Sequence, residues 1–555
     1  MILATLLSLL PLGPGDPGPT STDDLVFDAR AAEHLLSRAG FGATTDEVEA
    51  AVEAGLDATI ERLFAGSGRA RDPFYAERLS PYNVTTEMRR GEIERRTGMS
   101  YRRLDAEERR DARREFVREQ RRVDTTQLDQ YAEWWISSMI EGYDPLRDRM
   151  ALFWHGYFTS SQEDVRDSYE MILQAELLRE GAFGDFGELL RGVAKSPAML
   201  EYLDNDDNKK GEPNENFARE LLELFTLGEG HYSETDILEV ARSFTGWTDR
   251  KGEFSFRRSR HDREEKTVLG ETGEFDGDDV LDILIAHERT PVHVAERLLR
   301  YLEGRAPTPE RAAHYGAILR ENDLVLAPML DALFRDPEFY AEGVVGERIA
   351  SPIDLLVGLS RRLRVDPPVE AVAQGARLLG ERLFHPPNVK GWEGEESWIT
   401  TATFMQRGNL AGVLLGEVEI EDLLDEEDAE PGSMMAAIQA RMMGEEPEVA
   451  APRSQALRGL GRAQRIGWEP RYNLSARLER ADARTDEAAI DFLVDDLLAI
   501  EVERGTREEL IILLESKRLE SAIDEGEWRA AGSDGERSLR LVAHVICSLP
   551  EAQLH

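Results

Sequence analysis

The sequence of 555 residues predicts an all-α fold: a mainly helical, multi-helix domain with a few short strands or one hairpin near 252–270. Two observations support this prediction. Apolar residues recur at the three- and four-residue spacing of helices through most of the chain. By contrast, the stretch at 252–270 alternates only briefly between two glycines, which is typical of a small hairpin or an irregular loop. A hydrophobic content of 41% is ordinary for a globular protein, so a sizeable core is expected.

The first residues resemble an export signal. Residues 1–12 are nearly all apolar, and a run of glycines and prolines follows at 13–19. The alternative is a frayed N-terminus that packs a few leucines on the domain. No later stretch reaches the roughly 18 uncharged apolar residues of a membrane helix, so no transmembrane helix is expected.

The helical pattern begins with Ala32 and Leu35, breaks at Gly40-Phe41-Gly42, and resumes after Thr44 with Glu47 behind it. A threonine followed three residues later by glutamate is a helix-capping signature. We therefore expect two short helices joined by a tight glycine turn.

Residues 89–122 contain thirteen arginines, eight acids and few large apolar side chains. This composition favours a solvated, charged helical insertion at 85–125, and the alternative is an arm that binds polyanions. The aromatic-rich stretch at 128–246 is the expected centre of the core.

The chain divides into four expected parts: a possible export signal and leader at 1–27, a main helical domain at 28–415, an acidic linker at 416–432, and a C-terminal helical region at 433–555 that packs on the main domain. The linker is predicted because residues 417–430 carry nine acids and no base. Within the main domain, the proline- and glycine-rich stretch at 384–398 predicts a rigid loop held by Trp392 and Trp398.

Charge and cysteine content exclude several classes of function. The net charge of −42 disfavours binding to nucleic acids and to anionic membranes. The single cysteine, Cys547, excludes an intrachain disulfide, a cysteine-ligated zinc and an iron–sulfur cluster built from this chain alone.

A calcium loop is one candidate metal site. Asp204, Asp206, Asn208 and Glu215 stand at positions 1, 3, 5 and 12 of such a loop, and hard cations prefer these oxygen ligands. However, Lys209 occupies the position that normally requires glycine. The alternative is an Asx-rich turn that caps the next helix. Ca²⁺ is the only cofactor that the sequence suggests.

The helix that follows carries a polar stripe. Asn216, Arg219, Glu220 and Glu223 are spaced at i, i+3, i+4 and i+7 and therefore share one face. On an exposed helix they form surface ion pairs. If neighbouring helices cover the stripe, a buried carboxylate gains a raised pKa and can act as an acid or base. We expect the stripe to be turned inward, and the functional predictions depend on it.

The remaining candidate catalytic residues are His155 among aromatic residues, the adjacent His261 and Asp262, and Lys266. A histidine–aspartate pair can bind a metal or relay protons, but it can equally cap a turn. A lone histidine among aromatic residues is most often a hydrogen-bonded core residue. The motifs of zinc proteases, serine hydrolases and P-loop enzymes are absent from the sequence.

Several motifs together resemble a large bacterial family catalogued as domain of unknown function eighteen hundred, over residues 28–412 and at the C-terminal S-L-P-E-A-Q-L-H. The matching segments are H-L-L-S-R-A-G-F-G (34–42), F-W-H-G-Y-F (153–158), P-A-M-L-E-Y-L-D-N (197–205), P-N-E-N-F-A-R-E-L-L-E-L-F-T-L-G (213–228), A-R-S-F-T-G-W (241–247), H-D-R-E-E-K (261–266) and P-P-N-V-K-G-W (386–392).

This family has no established activity. The resemblance implies an exported or envelope-associated protein, often encoded beside a secreted sulfatase-like partner. It also implies that many relatives carry histidines where this chain has Tyr157 and Phe225. Any chemistry shared with those relatives then rests on the candidates above and on Lys390.

Two functional hypotheses remain. The first is a non-catalytic exported helical protein that binds an envelope or extracellular partner. The second is a hydrolase acting on an extracellular polymer, with Glu220 or Glu223 as general base and Arg219 or Lys266 stabilising negative charge. The second hypothesis requires these groups and the histidines to converge in one pocket.

Overall fold

The computed structural model describes residues 25–67, 86–250, 252–418, 470 and 472–554, with the side chains of 86–89 and 92 excepted. Nearly all of the predicted leader, most of the acidic linker and the first part of the predicted C-terminal region lie outside these residues. The predicted all-α class is confirmed, because the described residues form helices and two short hairpins. Within this part of the chain, no helix combines the length and apolar character needed to cross a membrane.

The helices are numbered in chain order. The first twelve are α1 Ala29–Ala39, α2 Thr45–Ala54, α3 Leu56–Ala65, α4 Thr86–Thr97, α5 Ala106–Glu141, α6 Pro145–Tyr157, α7 Gln162–Val165, α8 Ser168–Glu180, α9 Phe186–Ala194, α10 Pro197–Tyr202, α11 Asn216–Glu220 and α12 Glu234–Ser243. The remainder are α13 Gly277–Ala286, α14 Arg289–Glu303, α15 Pro309–Glu321, α16 Leu326–Arg335, α17 Pro352–Leu363, α18 Val369–Leu378, α19 Thr401–Leu415, α20 Leu474–Arg480, α21 Asp486–Leu497, α22 Arg504–Glu520 and α23 Ser533–Cys547.

The strands form two antiparallel hairpins near the predicted position. Strand β1 (Trp247–Asp249) pairs with β2 (Phe254–Phe256), so that Trp247 lies opposite Phe256. Strand β3 (Lys266–Val268) pairs with β4 (Glu271–Gly273). The turn of the second hairpin uses Gly270 in the left-handed region, which glycine adopts without strain.

Two large hydrophobic cores organise the helices. One contains Trp135 of α5 and Leu356 of α17 together with C-terminal residues such as Leu493 and Leu539. The other is built around α6, α9, α14 and α16, where Trp154 is fully buried. The described C-terminal helices therefore share a core with the preceding helices.

A buried carboxylate connects the two cores. Asp354 of α17 forms ion pairs with Arg149 of α6 and with Arg348, each at 2.6 Å, and its side chain is completely buried. Arg149 also donates from Nε to the Gly40 carbonyl at 2.8 Å and lies over the Phe41 ring. The predicted glycine turn is thus fixed from inside the molecule, and the predicted cap at Thr44 and Glu47 is confirmed as a capping box.

The last described residues are attached to the core by a backbone hydrogen bond and by a buried arginine. The Ala350 N–H donates to the Gln553 carbonyl at 2.8 Å. Arg407 of α19 donates to the Ala350 carbonyl at 2.8 Å and to the Gln553 amide oxygen at 3.3 Å. Because Arg407 is fully buried, this tail is part of the folded structure.

Candidate functional site

Three distant segments meet around the end of α6: the residues that follow α6, the helix that begins at Asn216, and the loop at 384–392. Thr159 Oγ1 donates to the Val389 carbonyl at 2.6 Å. The Gln162 N–H donates to the Phe384 carbonyl at 2.9 Å. Gly391 packs directly on the Gly156 carbonyl. These contacts hold the loop against α6 and bring Lys390 to the helix.

Helix α11 continues as a single π-helical stretch, Leu221–Thr226. A π turn changes the carbonyl positions, and here side chains from other elements satisfy two carbonyls of the stretch and that of Leu227, which follows it. Tyr157 Oη donates to Phe225 at 3.0 Å, His293 Nε2 to Leu224 at 2.9 Å, and Arg289 Nε to Leu227 at 3.0 Å. Tyr157 and Phe225 therefore contact each other.

The prediction that the polar stripe is turned inward is wrong for its first half. Asn216 is exposed, and Arg219 is 37% exposed in an ion pair with Glu234 at 3.0 Å. Glu220 is half-buried and Glu223 is 18% exposed. The apolar face, with Phe217 and Leu221, enters the core instead and leaves the polar face at the surface.

The second half of the stripe is bound by the 384–392 loop and by the segment after the π turn. Lys390 Nζ lies 3.4 Å from Glu223 and 3.6 Å from Glu229. Tyr232 Oη donates to Glu223 at 3.0 Å. Lys390 is 58% exposed and Glu229 is 76% exposed, so the cluster is accessible from solvent. We call Asn216, Arg219, Glu220, Glu223, Glu229, Tyr232 and Lys390 the polar patch.

The environment of the polar patch shifts the pKa values of Glu220, Tyr232 and Lys390. Partial burial and then the neighbouring Glu223 raise the pKa of Glu220, and Lys390 opposes this effect. Burial and the hydrogen bond to Glu223 raise the pKa of Tyr232 to about 12. The hydrogen bond to Glu223 raises the pKa of Lys390, which stays protonated. Among the described residues, no hydrogen-bond partner is found for the Glu220 carboxylate.

His155 lies behind the 384–392 loop and is buried. Its Nε2 accepts from the Phe384 N–H at 3.0 Å, and its ring contacts those of Trp135, Phe384 and Trp392. Burial, followed by the proximity of His385, lowers the pKa of His155 to about 4. A neutral imidazole that accepts a backbone N–H supports the loop and is not free to exchange protons in this conformation.

His261, Asp262 and Lys266 form a separate cluster beside α12 and the hairpins. Asp262 accepts from Arg242 Nε at 2.9 Å, and His261 Nδ1 lies 2.9 Å from the Thr245 carbonyl. Lys266 is 1% exposed and donates to the carbonyls of Asp262, Glu264 and Phe275 at 2.7, 3.1 and 2.8 Å. The hydrogen bonds described for these three residues do not reach His155 or the polar patch.

Two of the four proposed calcium ligands, Asn208 and Glu215, are engaged with protein atoms. The Asn208 amide nitrogen donates to Asn205 at 3.1 Å and to the Ala241 carbonyl at 2.8 Å, and its oxygen accepts from the Asn214 N–H. Glu215 pairs with Arg219 at 3.3 Å. Across the described residues, no group of three or more His, Cys, Asp or Glu side chains could hold a metal ion. The calcium loop with Asp204 and Asp206 stays a prediction without structural support, and the contacts resemble the Asx-rich turn.

Comparison with known families gives one match, to the family described as "Protein of unknown function (DUF1800)", over residues 34–554. The chain belongs to this family. The match covers nearly the whole chain, so it extends well beyond the 28–412 suggested by the motifs. No curated protein and no solved structure is significantly similar to the chain.

The motifs that indicated the DUF1800 family form two assemblies in the structure. Those at 153–158, 213–228 and 386–392 meet at the polar patch and its support. Those at 197–205, 241–247 and 261–266 surround Asn208, Thr245 and Lys266. Sequence reasoning missed Glu229, Tyr232 and His293, because nothing in the local sequence shows that they contact the helix at 216–226.

Gly391→Ala is expected to lower the free energy of unfolding by about 2 kcal/mol and to expose the 384–398 loop to proteases. Gly391 has a φ of +79°, and an added Cβ lies 2.5 Å from the Gly156 carbonyl oxygen. Urea unfolding and limited proteolysis measure both effects. Gly505→Ala is the matched control, because nothing lies within 4 Å of the new Cβ. Equal stability of the two variants contradicts the close packing of the 384–398 loop on α6.

Proposed function

We propose that this chain is a non-catalytic, exported helical protein that binds an envelope or extracellular partner through the polar patch. The observation that carries the proposal is the separation of the candidate groups. His155 supports a loop, and His261, Asp262 and Lys266 hold a turn beside the hairpins through hydrogen bonds that do not include the patch. A hydrolase that uses the histidines and carboxylates together requires one common pocket.

The polar patch has the chemistry of a protein-binding surface. It presents an exposed ammonium group, exposed carboxylates and a tyrosine whose ring is partly covered. The groups are ordered by the 384–392 loop, so little side-chain entropy is lost when a partner binds. As partner we propose the secreted sulfatase-like protein whose association with the family the resemblance implies.

A photo-cross-linking amino acid at Asn216 tests the proposal in the host bacterium. Asn216 is exposed within the patch, and the control position is Ile512, which is 63% exposed on α22. We expect a specific adduct from Asn216, containing the sulfatase-like protein and recovered from a fraction outside the cytoplasm. Adducts that are equal at both positions, or absent from Asn216, contradict the proposal.

The hydrolase is a second candidate because of Glu220. Its half-buried carboxyl has a raised pKa and stands beside Glu223, with Lys390 available to stabilise negative charge. This candidate predicts that the protein releases soluble fragments from isolated envelope polymer and that Glu220→Gln abolishes the release. The binding proposal predicts that neither the original protein nor the Glu220→Gln variant releases fragments.

A further inference from the structure

We propose that the helical hairpin of α4 and α5 docks an extended acidic segment of a partner protein. We call residues 89–122 the arginine arm. The arm has an excess of five positive charges, whereas the whole chain has a net charge of −42. The structure confirms that this charged segment is helical, with α4 packed against α5.

The arm folds around its own small core. Ile93, Leu104 and Phe116 are buried together and form no part of the two large cores. Tyr101 lies beneath the guanidinium groups of Arg90 and Arg109. Among the described residues, hydrogen bonds from α5 to other helices begin at Asp124, which accepts from Gln162 and from the Ser168 N–H. The arm therefore has an ordered surface of its own.

Distance protects the positive charge of the arm from the acidic body. The 18 residues of α5 that precede Asp124 span about 27 Å at a rise of 1.5 Å per residue. At physiological ionic strength the Debye length is about 8 Å. Arg110 and Arg114 thus lie about 21 and 15 Å from Asp124 along the helix, or roughly two screening lengths, so the outer part of the arm attracts anions despite the net negative charge of the molecule.

The arm presents a regular row of guanidinium groups. Arg110, Arg114, Arg118 and Arg121 are spaced at i, i+4, i+8 and i+11, so they share one face of α5. All four are exposed, and among the described residues only Arg114 of these four has an ion-pair partner, Asp111. Their spacing of about 6 Å along the helix axis is close to that of alternate residues in an extended strand. Each guanidinium can bind one carboxylate with two hydrogen bonds.

A protein partner fits better than a nucleic acid or a membrane. Eight acids interspersed with the arginines repel a continuous phosphate backbone, but a protein with mixed charges can accommodate them. Helices that lie in a membrane interface insert an exposed apolar face. The large apolar side chains described in the arm are mostly buried, with Met99 at 47% exposure as the exception.

The test uses a fluorescent 20-residue peptide of alternating glutamate and serine as the probe, at physiological salt. In the arm variant, Arg110, Arg114, Arg118 and Arg121 are replaced by glutamine. In the control variant, four exposed arginines outside the arm, Arg258, Arg263, Arg484 and Arg504, are replaced by glutamine, which gives the same change in net charge. Thermal unfolding of both variants verifies that they are folded.

We expect the full-length protein to bind the peptide, the arm variant to bind at least tenfold more weakly, and the control variant to bind within twofold of the original. Absence of binding, or equal losses in the two variants, overturns the proposal. Tighter arm-dependent binding of a 20-nucleotide single-stranded DNA or of vesicles with 30% phosphatidylserine also overturns it, in favour of that other partner.

Discussion

Asp354→Asn is expected to lower the free energy of unfolding by about 3–5 kcal/mol, a larger loss than we expect from the glycine and lysine substitutions. Asp354 is completely buried and forms ion pairs with Arg149 and Arg348, each at 2.6 Å. The substitution preserves the shape of the side chain but leaves two buried guanidinium groups without their carboxylate. Breaking a buried pair in this way is strongly destabilising, because an uncompensated charge remains in a region of low dielectric constant.

Urea unfolding measures this effect, with Asp111→Asn as the control. Asp111 pairs with Arg114 on the arginine arm, where both side chains are more than half exposed. Exposed pairs of this kind contribute at most about 1 kcal/mol. A loss below 1 kcal/mol for Asp354→Asn contradicts the role of this carboxylate in joining the two cores.

Lys266→Met is expected to lower the free energy of unfolding by about 2–4 kcal/mol, whereas Lys390→Met is expected to change it by less than about 0.5 kcal/mol. The ammonium group of Lys266 is the common donor to three backbone carbonyls, and burial lowers its pKa without removing its hydrogen bonds. Methionine fills a similar volume but leaves those carbonyls without their donor. Lys390 is 58% exposed, and solvent replaces its contacts when it is removed.

The comparison of these two lysine variants tests whether Lys266 has a structural or a catalytic role. If Lys266 belongs to a catalytic centre and not to a structural turn, its removal changes activity and leaves stability nearly intact. Similar unfolding midpoints for the two lysine variants therefore contradict the structural role of the 261–266 segment.

The helices were predictable because their signals are local. The Thr44 cap with Glu47 and the shared face of Asn216, Arg219, Glu220 and Glu223 depend on residues a few positions apart, and the structure confirms both. The brief alternation between Gly252 and Gly270 likewise indicated a small hairpin or an irregular loop, and the structure has two short hairpins whose strands begin at Trp247 and end at Gly273.

The direction of the polar stripe was not predictable, because it depends on which elements cover it. The aromatic residues near the stripe pack on its apolar side. Its polar side is reached by the loop that carries Lys390, more than 160 residues away in sequence, and by Tyr232 and Glu234 after the π turn. The roles of His155 and Lys266 were not predictable for the same reason. Their residue types suggest chemistry, but their partners are the Phe384 N–H and the Phe275 carbonyl, which no local pattern identifies.

The most direct measurement is the yield of the Asn216 cross-linked adduct in a protein that also carries Lys390→Met. Binding through the polar patch predicts at least a fivefold loss of adduct, while the unfolding midpoint stays that of the parent. An undiminished adduct from this stably folded variant contradicts the patch as the binding surface.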